Sequence, residues 1–85
     1  MANAMSRPEI AARVQTAIAR TFQLAGNGNT AELRMGALPG WDSLGHMRLV
    51  TELEEEFGLT FPAYMIAELL DFDRIVDGVE SLQSA

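Results

Sequence analysis

The sequence predicts an all-α domain: a small four-helix bundle of three longer helices and one short helix, with a long loop between helices 1 and 2. Apolar residues recur at helical spacing in three stretches, and residues typical of helix caps precede them. The alternation typical of strands and hairpins is missing. With 85 residues, 48% of them hydrophobic and 21% charged, the chain has the composition of a folded domain with one core. We therefore expect one domain over residues 1–85, in which residues 1–5 are disordered or a remnant of expression.

Helix 1 is predicted from Arg7 to Phe22. The segment Ser6-Arg7-Pro8-Glu9 has the pattern of a capping box with proline in the first turn. Behind it, the apolar residues follow the period of one helix face, at Ile10, Val14, Ala17, Ile18 and Phe22.

The loop that follows is predicted to be about 20 residues long, a length that in a small domain indicates a functional loop or one held down by its side chains. It begins with a run of turn-forming residues, Gly26-Asn27-Gly28-Asn29-Thr30. Leu33, Met35 and Leu38 are the side chains expected to anchor it to the core.

Helix 2 is predicted from its N-cap Asp42 to Phe57, with Gly58 in the left-handed position that ends a helix. A rotation of 100° per residue gives it an inner arc of apolar residues, which includes His46, and an opposite face that is mainly charged. The inner arc holds Met47, Leu49, Val50, Leu53 and Phe57, and the opposite face carries Leu44, Arg48, Glu52, Glu55 and Glu56. Since His46 is the only histidine and has no partner group for catalysis or metal binding, we expect it to pack or to cap the loop.

Two further helices are predicted in the last third of the chain. Pro62 starts a short helix 3 over residues 63–69. Asp71 is the expected cap of helix 4, whose apolar stripe consists of Phe72, Ile75, Val76, Val79 and Leu82.

Charge and composition exclude several classes of function. A net charge of −6 and a pI near 4.5 argue against nucleic acid or an anionic membrane as a partner and favour basic protein surfaces. Without cysteine, the chain has no disulfide, thiolate metal site or nucleophilic thiol of its own. No apolar run approaches the roughly 18 residues of a membrane span, and the N-terminus lacks the pattern of a signal peptide. We expect a cytoplasmic monomer.

The segment from Gly40 to His46 carries the candidate chemistry. It places Ser43 in the first turn of helix 2, where free backbone N–H groups and the helix dipole favour a phosphate group. The alternative is that Ser43 is only a helix-start serine beside a capping aspartate. The triplet Asp42-Ser43-Leu44 alone does not decide between them, since it occurs by chance in a few per cent of chains of this size, at a usage of roughly 5–10% per residue type.

The wider context resembles the acyl carrier protein family, whose members are small acidic four-helix domains. The resemblance covers nearly the whole chain: helix 1, the long loop, Asp42-Ser43-Leu44, the end of helix 2 at Leu53-Glu54-Glu55-Glu56-Phe57-Gly58, Phe61-Pro62 and helix 4 from Phe72. It implies a non-catalytic carrier with 4′-phosphopantetheine attached to Ser43, whose thiol holds an acyl group as a thioester. The implied partners are a phosphopantetheinyl transferase, an acyl-loading ligase or acyltransferase, and a downstream synthase or transferase.

The resemblance and the outer face of helix 2 together predict which residues contact partners and cargo. We expect partner recognition by Asp42, Leu44, Arg48, Glu52, Glu54 and Glu55. Acidic residues at the end of a helix oppose its dipole, which supports a docking role for the glutamates there. An acyl chain would be held by residues that could equally form the core, namely Met47, Leu49, Val50, Leu53, Phe61 and Ile66.

Two positions depart from the fatty-acid carriers, which typically have acidic residues two and five positions after the modified serine. Here these positions hold Gly45 and Arg48. Arg48 would repel a basic partner and could meet a carboxylate on a dedicated one, which favours a stand-alone carrier of specialised metabolism, polyketide-like or with a modified acyl group. The alternatives are an aminoacyl carrier of the D-alanyl or peptidyl type, and a helical interaction module that is never modified.

Overall fold

The computed structural model describes residues 5–24 and 32–84. Its helices are α1 (Arg7–Phe22), α2 (Ser43–Phe57), α3 (Ala63–Ile66) and α4 (Phe72–Ser84). These ranges contain no strand, only an isolated antiparallel bridge between Arg34 and Asp71. The predicted all-α bundle of three longer helices and one short helix is confirmed. Residues 1–4 and the run Gly26–Thr30, for which the sequence predicts disorder and a turn, lie outside the described residues.

Helix α1 has the predicted bounds and the predicted capping box. The Glu9 N–H donates to Ser6 Oγ at 3.3 Å, and the Ser6 N–H donates to Glu9 Oε1 at 3.0 Å. The backbone and hydroxyl of Ser6 hold the pKa of the Glu9 carboxyl below its usual value, because both donate to the ionised form. The helix ends where Gln23 takes a left-handed conformation, with φ of 57°.

Helix α2 also has the predicted caps at both ends. Asp42 Oδ1 accepts the Gly45 N–H at 2.9 Å, which satisfies one of the free donors of the first turn. At the other end, Gly58 has a φ of 64° and its N–H donates to the Glu54 carbonyl.

Helix α3 is shorter than predicted and ends at Ile66 instead of continuing to residue 69. After Ile66 the backbone bonds tighten to three-residue spacing: the N–H of Glu68 donates to Met65 O and that of Leu69 to Ile66 O. No residue of α3 is fully buried. Helix α4 begins as predicted, with Asp71 Oδ1 accepting the Arg74 N–H at 2.8 Å.

A single apolar cluster fills the space between the helices. Its fully buried members are Ile10, Val14, Ala17, Ile18, Leu33, Trp41, Leu49, Val50, Leu53, Phe61, Leu69, Ile75, Val76 and Val79. The predicted loop anchors are confirmed, since Leu33 is buried and Met35 and Leu38 pack against the cluster. Met5 also packs there, and its N–H donates to Gln83 Oε1 at 3.3 Å. In the ranges described, no helix is both long and apolar enough to cross a membrane.

The end of the long loop is bonded to the segment before α4. The Met35 N–H donates to the Leu70 carbonyl and the Phe72 N–H to the Leu33 carbonyl, both at 2.9 Å. The loop therefore reaches α2 as an ordered segment, which fixes the direction from which α2 starts.

Candidate functional site

Ser43 is the first residue of α2, and its side chain is exposed. The hydroxyl makes no hydrogen bond to any residue that the structure describes. The neighbouring cap, Asp42, uses its Oδ1 atom for the Gly45 N–H. The serine oxygen is thus free to react, at the positive end of the helix dipole.

At Gly45, the start of α2 packs closely against the turn that precedes it. A Cβ atom at this position would lie far inside the contact distance of the Gly40 carbonyl oxygen and 3.0 Å from Phe22 Cε1. Gly45 is buried, so this position faces the preceding turn and not the solvent. No side chain fits here, which explains why the position holds a glycine. A glycine in the first turn of a helix was the available signal, because glycine weakens a helix.

Trp41 and His46 fix the other side of the helix start. Trp41 stacks on Phe22, at a centroid distance of 5.6 Å, and its ring is nearly parallel to that of His46, with the centroids 6.2 Å apart. The Trp41 Nε1–H donates to His46 Nδ1 at 2.9 Å, and His46 Nε2 lies 2.9 Å from the Ile66 carbonyl oxygen. Since Nδ1 accepts, the network assigns the ring proton to Nε2, which donates to Ile66. The predicted packing and capping role of His46 is confirmed, and it joins the loop, α2 and α3.

The outer face of α2 carries apolar and charged side chains side by side. Leu44 is 74% exposed, and Arg48 and Glu55 are also exposed, as predicted. The prediction that Met47 packs on the inner arc is wrong, since it is 50% exposed. Met47 lies between the inner arc and the outer face of α2.

Three of the glutamates on α2 face other groups of the chain. Glu52 lies 3.9 Å from Arg20, and Glu56 lies 3.4 Å from Arg13, so both stand at the boundary with α1 instead of on an open face. Glu54 Oε2 accepts the Phe61 N–H at 2.9 Å and so holds the segment that follows the helix. Of the glutamates predicted to dock partners, only Glu55 is exposed.

Most of the residues predicted for an acyl pocket are packed inside the protein. Leu49, Val50, Leu53 and Phe61 belong to the buried cluster, and Ile66 packs against it. Among the described residues, one cleft lies between α3 and α4, and another between α1 and α2.

No protein-family model, curated protein or solved structure matches this chain. Within the described ranges, no group of three or more His, Cys, Asp or Glu residues is arranged to hold a metal ion. The candidate site is therefore defined by its own geometry: an exposed serine hydroxyl on a helix start that Gly45, Trp41 and His46 hold in place.

Proposed function

We propose that this chain is a non-catalytic carrier in which Ser43 Oγ bears 4′-phosphopantetheine. When attached, that arm supplies a terminal thiol, which holds an acyl group as a thioester while it passes between biosynthetic enzymes. The observation that carries the proposal is the exposed Ser43 hydroxyl without a partner among the described residues, placed on a helix start whose position is fixed.

The residues around Ser43 fit a phosphodiester on its oxygen. The hydroxyl lies in the first turn of α2, where the helix dipole stabilises an anion. Asp42 is exposed, but one of its carboxylate oxygens is held by the Gly45 N–H, which turns it toward the helix. The sequence around this site and the order of the helices resemble acyl carriers, which supports the same assignment. A chain without cysteine also gains from the arm the thiol that it lacks.

The proposed partners are a phosphopantetheinyl transferase, an acyl-loading ligase or acyltransferase, and a downstream synthase or transferase. Leu44, beside Ser43 and largely exposed, is the proposed apolar anchor for the transferase, and Asp42 the proposed acidic contact. Glu54 bonds to the Phe61 N–H, and Glu52 lies at the boundary with α1. The exposed residues among those predicted for partner recognition are therefore Asp42, Leu44, Arg48 and Glu55. Because Arg48 would repel basic partners, its presence in this set favours a carrier dedicated to one pathway, with a polyketide-like or modified acyl group.

Intact-mass measurement tests the attachment directly. The full chain is incubated with coenzyme A and a phosphopantetheinyl transferase. We expect its mass to rise by that of one 4′-phosphopantetheine group. Ser43→Ala should show no gain and keep the helical circular-dichroism signal. The matched control is Ser81→Ala, which removes another exposed helical serine and should be modified like the parent chain.

Other outcomes would replace the proposal. A mass gain retained in Ser43→Ala would move the attachment elsewhere. No gain in the parent chain with transferases of broad specificity would favour a helical interaction module that is never modified. If the modified chain were charged by amino-acid ligases and not by acyl-loading enzymes, it would be an aminoacyl carrier of the D-alanyl or peptidyl type.

A further inference from the structure

An open groove of about 320 Å³ lies between the end of α1 and the outer part of α2. We call it the arginine groove. It is lined by Arg20, Thr21, Gln23, Arg48, Thr51 and Glu52. Two of the six basic residues of a chain with net charge −6 thus share one small depression.

Neither guanidinium in the groove is committed to a close ion pair. Arg20 is 55% exposed at its side chain and approaches Glu52 and Glu56 only to 3.9 and 3.7 Å. Arg48 is exposed and forms no ion pair with any residue in the described ranges. Exposed pairs as long as these contribute little to stability. The donors of both arginines therefore remain available to a carboxylate, which a guanidinium binds through two parallel hydrogen bonds.

Apolar surface continues from the groove toward Ser43. Leu44 precedes Arg48 by one helical turn, and Met47 precedes Thr51 by one turn; Leu44 and Met47 are both at least half-exposed. Arginine and methionine are enriched at protein interfaces, and exposed leucine and methionine side chains gain nothing from a small free anion. The two arginines and the apolar side chains beside them thus match an acidic protein segment better than a dissolved ion.

We propose that the arginine groove, with Leu44 and Met47 at its edge, binds an acidic segment of a protein partner. A carboxylate of that segment lies between the guanidinium groups of Arg20 and Arg48 and competes with Glu52 for Arg20. Assigning this partner to the cycle of the carrier rests on the proposed function, whereas the binding of the acidic segment does not.

The test uses the full chain, labelled with ¹⁵N, and a synthetic peptide in which glutamates alternate with leucines. Amide shifts should change most at Gln23, Arg48 and Thr51. Arg20→Gln and Arg48→Gln should each raise the Kd about fivefold, and added salt should weaken binding, because the groove is exposed. Arg34→Gln is the matched control: Arg34 is exposed, lies outside the groove and should leave the Kd unchanged.

Two further experiments distinguish this proposal from its alternatives. Ser43→Ala should bind the peptide like the parent chain, so that failure of the carrier proposal leaves this one standing. A peptide with glutamine in place of glutamate should bind much more weakly; equal binding would overturn the proposal, as would shifts centred outside the groove or an equal loss in Arg34→Gln. If inorganic phosphate gave the same shifts at the same concentration, the groove would be a small-anion site and the proposal of a protein partner would be wrong.

Discussion

The contact between α1 and α2 and the attachment of the segment from Leu59 to Asp71 differ in how much hydrogen bonds add to apolar packing. α1 and α2 contribute seven buried apolar residues to the common cluster, bordered by exposed ion pairs of Arg13 and Arg20. The segment between α2 and α4 contributes Phe61 and Leu69 to that cluster, but its helix α3 has no buried residue. Individual polar groups bond it in addition, among them Glu54 to the Phe61 N–H and His46 to the Ile66 carbonyl.

The difference shows how stability is distributed in this chain. Where two amphipathic helices meet, many apolar contacts share the stabilisation, and each exposed ion pair adds little. Where the backbone is irregular, a few hydrogen bonds satisfy backbone groups that have no helical partner, so each carries more. Substitutions in the two regions should therefore differ in the kind of side chain that matters, and the predictions below follow the expected size of the effect.

The largest effect is expected at the start of α2, next to both regions in sequence or by its hydrogen bonds. Gly45→Ala puts a methyl group onto the Gly40 carbonyl oxygen, and since backbone has to move, we expect a loss of about 3 kcal/mol. Gly78→Ala is the control, because Gly78 is equally buried in a helix but its added methyl group would meet only side chains. Chemical denaturation of both variants measures the difference. Equal losses would mean that the turn at Gly40 yields easily and does not fix α2.

The next effect concerns the bonds of His46. His46→Leu leaves the buried Trp41 N–H without an acceptor and the Ile66 carbonyl without its donor, so we expect a loss of about 2 kcal/mol or more. His46→Gln, which offers both a donor and an acceptor, should recover part of it. Thermal unfolding of these variants is compared with that of Met47→Leu, an exposed neighbour expected within about 0.5 kcal/mol of the parent. If leucine at position 46 were tolerated, apolar packing alone would hold α3.

The smallest effect is expected from substitutions of two adjacent glutamates of α2. Glu54→Ala removes the acceptor of the Phe61 N–H and should cost about 1.5 kcal/mol, whereas exposed Glu55→Ala should stay within about 0.5 kcal/mol. The gain in helix propensity is the same in both variants and cancels in the difference. Urea denaturation at neutral pH measures the difference in stability between the two variants. An equal cost would show that Glu54 is a surface residue, and its docking role would regain weight.

The sequence was sufficient for the regular parts of the fold. The bounds and caps of α1, α2 and α4 follow from the period of their apolar residues and from Ser6, Asp42, Gly58 and Asp71. Spacing along one helix could not tell that Glu52 and Glu56 face α1, because that depends on where a second helix packs. The same limit applies to Glu54, whose partner lies in an irregular segment that shows no periodicity.

The candidate site was predicted only in part, for a similar reason. Ser43 and the N-cap Asp42 are adjacent in the chain, so the sequence preferences of a helix start locate both. The close approach of Gly45 to Gly40 and the bond from His46 to Ile66 depend on how the loop and α3 return to α2. Met47 was misplaced because it lies at the edge of the apolar arc, where a rotation of a few tens of degrees decides exposure.

Trp41 gives this chain an optical reporter at the place of interest. It is the only tryptophan, is 1% exposed, and precedes Ser43 by two residues. Its indole ring is held by Phe22 and His46, so a displacement of the loop, of the start of α2 or of α3 alters the surroundings of the same fluorophore. Emission from the unlabelled protein can therefore follow, in real time, whether a change at Ser43 disturbs the scaffold below it or leaves that scaffold rigid.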